Sequence, residues 1–340
     1  MRWMILAAVA LIVQTSSALA GPFQPVQTGP DGHLVPVPAR HWEDPTHSML
    51  LGVARAGQRL VAVGELGIVL LSDDGGKTFR QAKSVPVSST LTAVNFVDAD
   101  HGWAVGQWGV IIATMDGGES WQLQRVDTPV DQPLFSVMFR NQNDGFAVGL
   151  WSLFLKTADG GRNWTPIKLP PPPGSKRADR NLMKIFGDPK GALYVAGEQG
   201  TVLRSTDQGA TWRYLASGYK GTFWTGVAAA DGSLFVAGLR GNLYRSLDGG
   251  DTWASVPSGA TDSITGLADI GGMIVGVGLE GNVVTGETTG SKLNDQLRPD
   301  KKDLTGVIGG EAGRLIFTST DGILGGAMPV GPVQTSRHAE

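Results

Sequence analysis

The feature that most constrains the fold of this chain is a short motif that recurs at intervals of about 42 residues. Five copies follow the pattern Ser/Thr-x-Asp-x-Gly-x-x-Trp/Phe, and their aspartates are separated by 42, 43, 48 and 41 residues: Asp74, Asp116, Asp159, Asp207 and Asp248. Tandem self-similarity with a period near 40 residues is typical of propellers and solenoids, in which each repeat is one supersecondary unit.

An alternating apolar segment opens each unit, and aligning these segments gives a count of seven, including two degenerate units after residue 270. The aligned positions are Val53, Val94, Val137, Ile185, Val227, Leu267 and Val307. In the second unit, residues 91–97, 103–106 and 110–114 and a strand that starts near Trp121 read as strands A to D of a meander. We therefore predict an all-β fold, a seven-bladed β-propeller of four-stranded antiparallel blades over residues 48–328.

The recurrent motif has a structural explanation. Its glycines suit the positive φ of a tight turn between strands C and D, and its aspartate can accept main-chain N–H bonds inside that turn. The aromatic residue that ends the motif would pack between neighbouring blades. We interpret the five aspartates as architectural rather than as catalytic or metal-binding residues.

The two ends of the chain have different predicted roles. Arg2, an apolar run over residues 4–13 and Ala18-Leu19-Ala20 form the pattern of a Sec signal peptide, residues 1–20, cleaved after Ala20. We therefore expect a periplasmic or secreted protein. Residues 21–47 form a lead-in whose alternating segment 34–37 is a candidate outer strand for the last blade, and residues 329–340 read as a flexible tail.

The segments match the Asp-box, or BNR repeat, and their longer form Val-Gly-x-x-Gly-x-(Val/Ile/Leu)-x-x-(Ser/Thr)-x-Asp-Gly-Gly-x-(Thr/Ser)-Trp resembles the photosystem II assembly and stability factor family of seven-bladed propellers, over roughly residues 48–325. The resemblance implies a non-catalytic scaffold without a cofactor, which binds newly made subunits of a membrane-protein complex. The chain has no cysteine and so lacks the lipidated cysteine of some family members. We expect a monomer, and the resemblance leaves room for peripheral membrane contact.

Propeller geometry places the B–C turns and the D–A connections on one face, and the A–B turns and the Asp-box turns on the other. Aromatic and basic residues concentrate on the first face in units two to five. The hypothetical partner-binding residues are Trp108, Trp151, Arg177, Arg180, Tyr219, Trp224 and Arg240. The alternative interpretation is that the two turn tryptophans pack on neighbouring loops and that the proline-rich basic connection, residues 169–180, is a solvated insertion.

Other function classes find less support in the sequence. The net charge of −3 does not indicate a nucleic-acid partner. A sialidase-like glycosidase shares the Asp-box but needs a tyrosine nucleophile beside a glutamate, whereas Tyr194 and Tyr244 fall at apolar strand positions. The five histidines are scattered without the spacing of a metal site. We predict no enzyme activity, and keep a glycoside hydrolase and a carbohydrate-binding propeller with Trp108 and Trp151 as stacking platforms as alternatives.

Overall fold

The computed structural model describes residues 26–29 and 34–327, and their regular structure consists of β-strands joined by single 3₁₀ turns. Seven antiparallel sheets follow one another along the chain, each a meander of sequential strands. This arrangement confirms the predicted seven-bladed all-β propeller. The predicted signal peptide and the tail, residues 329–340, lie outside the described residues. No helix in the described part of the chain is long and apolar enough to cross a membrane.

The strands of the first three blades alternate in direction from an inner strand A to an outer strand D. Blade 1 contains β3 (Leu50–Ala56), β4 (Arg59–Gly64), β5 (Val69–Ser72) and β6 (Arg80–Gln81). Blade 2 contains β7 (Leu91–Phe96), β8 (Gly102–Gly106), β9 (Ile111–Thr114) and β10 (Gln122–Arg125). Blade 3 contains β11 (Leu134–Phe139), β12 (Gly145–Gly149), β13 (Phe154–Thr157) and β14 (Thr165–Pro166).

The next three blades repeat this plan, and the described part of the last blade has three strands. Blade 4 contains β15 (Leu182–Gly187), β16 (Leu193–Gly197), β17 (Thr201–Ser205) and β18 (Arg213–Ala216). Blade 5 contains β19 (Phe223–Ala228), β20 (Leu234–Gly238), β21 (Leu243–Ser246) and β22 (Ala254–Ser255). Blade 6 contains β23 (Ile264–Ile270), β24 (Met273–Gly278), β25 (Asn282–Glu287) and β26 (Asn294–Leu297), and blade 7 contains β27 (Leu304–Gly309), β28 (Arg314–Ser319) and β29 (Gly322–Ala327).

The hydrophobic core lies between blades rather than within them. One cluster of buried side chains fills each of the seven gaps, and the last cluster joins Leu50 and Leu70 of blade 1 to Ile323 of blade 7. Three threonines of the inner strands add hydrogen bonds across the gaps. Thr305 Oγ1, for example, donates to the carbonyl oxygen of Leu50 at 2.6 Å and so ties the last blade to the first. The ring is therefore closed.

The described strands of the lead-in do not supply the outer strand of the last blade, contrary to the sequence-based expectation. Strand β2 (Leu34–Pro36) pairs with β1 (Val26–Thr28) in a separate hairpin. The chain then runs along blade 1, where Ala39 N donates to Val85 O at 3.0 Å and Gln81 Nε2 donates to Arg40 O at 2.7 Å. The hairpin forms a sheet of its own, and β29 pairs only with β28 among the described strands.

The Asp-box turns satisfy their own polar groups. In blade 4, Ser205 Oγ donates to Asp207 Oδ1 at 2.8 Å and accepts the N–H of Gly209 at 2.8 Å. Asp207 also accepts the N–H of Thr211 at 2.9 Å and its hydroxyl at 2.5 Å. The equivalent bonds recur in the four other copies. The hydroxyl and main-chain bonds from Thr211 lower the pKa of Asp207 to about 2, so this carboxylate is ionised and fully engaged at neutral pH.

Ser205→Ala tests this account of the turn. The Ser205 side chain is buried, and removing its hydroxyl leaves the N–H of Gly209 without an acceptor. We expect a loss of about 1–3 kcal/mol in the free energy of unfolding, measured by urea denaturation. The exposed neighbour Thr206 provides the control, since Thr206→Ala should change the free energy of unfolding little. Equal stability of the two variants would contradict the proposed role of the serine.

In blade 5, the residue aligned from the sequence differs by one position from its structural equivalents in the other blades. Val94 and its equivalents pair with the third residue from the end of strand B, and in blade 5 that position belongs to Gly226, not Val227. A Cβ at Gly226 would lie 2.5 Å from Cε1 of Phe186, whose ring in blade 4 fills this space. The Phe186 ring of blade 4 thus fills the space that would otherwise hold an apolar side chain at position 226 of blade 5. An alignment of apolar positions cannot show such a replacement between blades.

Gly226→Val should therefore destabilise the protein by about 1–3 kcal/mol or more, because the added methyl groups overpack the gap between blades 4 and 5. The thermal unfolding midpoint, followed by circular dichroism, measures the effect. The double variant Phe186→Leu with Gly226→Val should recover part of the loss, since Leu frees the space of the ring. An unchanged midpoint for Gly226→Val alone would refute the steric explanation.

Candidate partner-binding face

The B–C turns and the D–A connections meet on one face of the ring, as predicted. Glu65 N donates to Met49 O and Gln107 N donates to Thr90 O, both at 3.0 Å, and the same bond recurs in the next four blades. On the opposite face the Asp-box turns meet the A–B turns, for example through Gly117 N and Asp100 O at 3.0 Å. We call the first surface the tip face and the second the Asp-box face.

The six B–C turns of blades 1–6 share a strained conformation. Their central residues have φ between 52° and 60°, a region that residues other than glycine rarely adopt: Leu66, Trp108, Trp151, Gln199, Arg240 and Glu280. Glycine follows in five of these turns, but Ser152 follows Trp151 and also has a positive φ of 60°. The third turn therefore carries two strained residues where the others carry one.

The D–A connection between blades 3 and 4 holds this third turn in place. Ser152 donates to the carbonyl oxygen of Arg180 from its N–H at 2.9 Å and from its hydroxyl at 3.0 Å. Trp151 N donates to Oδ1 of the buried Asn181 at 2.9 Å. These bonds fix the turn, yet the Trp151 side chain remains 56% exposed. A large apolar ring is thus presented to solvent on a rigid support.

The proline-rich part of the same connection carries three basic residues. Arg180 is half-buried, and its Nη1 donates to Thr201 Oγ1 at 2.9 Å, which links the connection to blade 4. Lys176 and Arg177 are exposed, and neither forms an ion pair within the described residues. The structure therefore brings Trp151, Arg177 and Arg180 into one connection-and-turn unit, with a structural role for Arg180 that the sequence did not reveal.

The other predicted site residues differ in exposure. Trp108 is half-buried against the cluster between blades 1 and 2, which also contacts Ala39 and Val126, so the packing interpretation holds for this indole. Tyr219 lies between Phe223 and Tyr244, with ring centroids 4.9 and 5.3 Å away, and burial raises the pKa of its phenol. Arg240 is exposed at the tip of its turn.

Trp224 belongs to a structural feature that recurs in every blade. The register of strands A and B shifts at the second residue of the inner strand in all seven blades. The residues at this position are Leu51, Thr92, Phe135, Met183, Trp224, Thr265 and Thr305. The threonines donate to the main chain of the next blade. The second residues of the inner strands therefore lie where neighbouring inner strands meet around the axis.

Three consecutive blades have large apolar residues at this level. Phe135, Met183 and Trp224, which we name the apolar arc, are each partly exposed and lie outside the seven clusters between blades. Of these three residues, only Trp224 is among the predicted partner-binding residues. Phe135 and Met183 could have been found from their position in the repeat, because each directly follows the buried residue that opens its inner strand.

The Asp-box face has a cavity of about 430 Å³ between blades 3, 4 and 5, lined in part by Arg140, Asp188 and Tyr194. The Tyr194 hydroxyl lies 3.1 Å from Gly249 O and 3.3 Å from Asp188 Oδ2, and its single hydrogen is shared between these two acceptors. Burial is the main cause of a strongly raised pKa for its hydroxyl. Tyr194 is therefore protonated at neutral pH and paired with an aspartate, which differs from the tyrosine–glutamate pair of a sialidase.

The fold and the faces define a closed propeller of the Asp-box class whose tip face presents aromatic and basic residues. A family described as "Photosynthesis system II assembly factor YCF48" matches residues 80–255, more than half of the chain. The protein belongs to this family, which confirms the resemblance inferred from the repeats. No curated protein matches the sequence.

Solved structures with the same fold include two of the YCF48 type. "YCF48 bound to D1 peptide" has a TM-score of 0.67 at 16% identity, covering 85% of this chain and 98% of that one. YCF48 from Cyanidioschyzon merolae has a TM-score of 0.63 at 18% identity, with coverage of 83% and 96%. The extracellular domain of the putative one-component system BT4673 from B. thetaiotaomicron also has a TM-score of 0.63, at 11% identity, and covers 82% of this chain but 38% of that one.

The two turn tryptophans should respond differently to truncation. Trp108→Ala removes a half-buried ring from the first cluster, and we expect a loss of about 3 kcal/mol in the free energy of unfolding. Trp151→Ala removes an exposed ring, and the change should stay within about 0.5 kcal/mol. Urea denaturation of both variants measures the difference. Similar losses in the two variants would mean that Trp151 is also a packing residue.

Proposed function

We propose that this protein is a non-catalytic, exported scaffold that binds a segment of a membrane-protein subunit while its complex is assembled. Membership of the assembly-factor family supports this role. One structurally similar protein is described as bound to a D1 peptide, which makes a peptide segment a reasonable form for the partner. The observation that carries the proposal is Trp151, an exposed aromatic residue held rigidly on the tip face.

The surroundings of Trp151 indicate the chemistry of the partner. Exposed aromatic anchors on rigid supports lose little conformational entropy on binding and are typical of protein interfaces. The exposed cations of the neighbouring connection, Lys176 and Arg177, favour acidic groups nearby. We therefore propose a partner segment that combines apolar and acidic residues, bound across blades 3 to 5 of the tip face.

A scaffold without catalysis agrees with the state of the acidic residues. The Asp-box carboxylates are committed to their turns, and the bonds from Thr252 lower the pKa of Asp248 to about 2 just as those from Thr211 do for Asp207. Such a group stays ionised at neutral pH and does not deliver a proton to a leaving group. The described residues contain no group of three or more His, Asp or Glu arranged to hold a metal ion.

Export and a monomeric state complete the proposal. The pattern of Arg2, the apolar run and Ala18-Leu19-Ala20 supports export through the Sec pathway with cleavage after Ala20. Closure of the ring leaves no long inner sheet edge for self-association, which supports a monomer. Cell fractionation with amino-terminal sequencing and light scattering test these two points separately.

The binding proposal is tested by exporting tagged protein in its own host and identifying membrane proteins that co-purify. We expect the double variant Trp151→Ala with Arg177→Ala to lose at least about 90% of a reproducible membrane-protein partner, because it removes the anchor and an exposed charge of the adjoining connection. The matched control, Met115→Ala with Lys190→Ala, changes exposed residues of the Asp-box face and should retain the partner.

Two results would contradict the proposal. One is retention of the same membrane proteins by the tip-face variant and by the control. The other is specific binding of glycans in an array that depends on Trp151, without any membrane-protein partner, which would favour the carbohydrate-binding alternative.

A further inference from the structure

The third residue of each inner strand is small in every blade except blade 4. The strand registers align these residues as Gly52, Ala93, Ser136, Lys184, Thr225, Gly266 and Gly306. Lys184 is thus a long, charged side chain in a ring of small neutral residues. It is also the only charged residue among the first three positions of the seven inner strands.

Small residues are required at this level because neighbouring inner strands nearly touch. A Cβ at Gly52 would lie 3.0 Å from Cα of Ala93, and one at Gly266 would lie 3.2 Å from Cα of Gly306. In blade 3, Ser136 Oγ accepts the N–H of Ile185 in the next blade at 3.2 Å. These contacts show that side chains at the third position face the next inner strand beside the axis.

Lys184 has no compensating partner in this crowded setting. Its amine makes no hydrogen bond or ion pair within the part of the chain that the structure describes, although the side chain keeps partial access to water. Burial by the surrounding protein lowers the pKa of the amine. Burial without a partner disfavours the charged form of the amine, whereas a bound anion would restore that form through an ion pair.

Lys184 also lies next to the apolar arc. Met183 precedes it in the same strand, and Phe135 and Trp224 occupy the preceding position in the inner strands on either side. All four belong to the ends of the inner strands that begin at the tip face. An amine beside three adjacent, partly exposed apolar residues suits a carboxylate next to a hydrophobic side chain, because the carboxylate would hold the amine in its charged form.

We propose that the axial opening on the tip face, between blades 3 and 5, is a binding site for a peptide carboxylate, in which Lys184 donates to the carboxylate and the apolar arc receives an adjacent apolar side chain. This inference rests on the proposed function, for which it supplies a second, axial contact besides Trp151. An acidic side chain or a chain terminus provides the same carboxylate chemistry.

The test uses small probes, so that it does not depend on the natural partner. The full protein is reductively methylated with ¹³C-formaldehyde, which keeps the lysine charges, and the Lys184 methyl signal is assigned with Lys184→Met. N-acetylphenylalanine carries a carboxylate beside an aromatic ring, and N-acetylphenylalanine amide lacks the charge. We expect the acid to shift the Lys184 signal saturably, and the amide and inorganic phosphate to leave it in place.

Variants then separate the contributions. Affinity for the acid should fall at least about tenfold in Lys184→Met, which loses the charge-assisted bond but keeps a similar shape. Trp224→Ala should also weaken binding while the Lys184 signal remains. Lys190→Met, an exposed lysine in the A–B turn of the same blade, should bind as the wild type does. If Lys184→Met does not fold, the comparison of acid and amide on the wild type decides alone.

The inference is overturned if the acid leaves the Lys184 signal unmoved, if the amide shifts it equally, or if phosphate binds as well as the acid. Failure here can be told from failure of the proposed function. Probe binding in the absence of any membrane-protein partner would refute only the proposed scaffold role. The axial site alone would be refuted if no probe binds and if a membrane-protein partner that depends on Trp151 is still retained by Lys184→Met.

Discussion

Around the axis, the inner strands of neighbouring blades come so close that their third residues face one another almost without space for a side chain. Glycine, alanine, serine and threonine fill six of the seven positions, and the pairing of each inner strand with strand B shifts register one residue earlier. The threonines that follow the opening residue in three blades use this proximity for bonds of 2.6 Å to the next blade. The count of seven blades and the closure of the ring both depend on this packing.

Farther from the axis the gaps between neighbouring blades widen, and larger side chains fill them. The Asp-box turns serve this outer zone, because each turn satisfies its own polar groups and leaves its aromatic residue free to pack. Trp121, for example, is buried between the first two blades and donates to the carbonyl of Gly118 at 2.9 Å. The same sequence motif therefore recurs for a local reason, while the tip turns vary in sequence around a common backbone and so can carry specificity.

The repeat predicted the fold because its spacing and its aspartates report on contacts made within one blade. Features that depend on two blades were harder to predict. Gly226 replaces an apolar residue because Phe186 of the preceding blade fills its space, and the lead-in follows blade 1 because Arg40 and Gln81 bond to each other. Trp108 and Trp151 look equivalent in sequence, yet only the second is exposed, since the first packs beside the lead-in. Lys184 became conspicuous only when the strand registers aligned it with small residues.

The junction of the last and first blades has a mechanical consequence. Within the described residues, its cluster contains four buried side chains, Leu50, Ala62, Ile68 and Leu70, against thirteen in the cluster between blades 1 and 2. Neither of the two described strands of the lead-in pairs with β29. This junction has the smallest buried apolar cluster of the seven. Thermal fluctuations and the first step of unfolding should therefore separate blade 7 from blade 1, while the six other gaps stay packed.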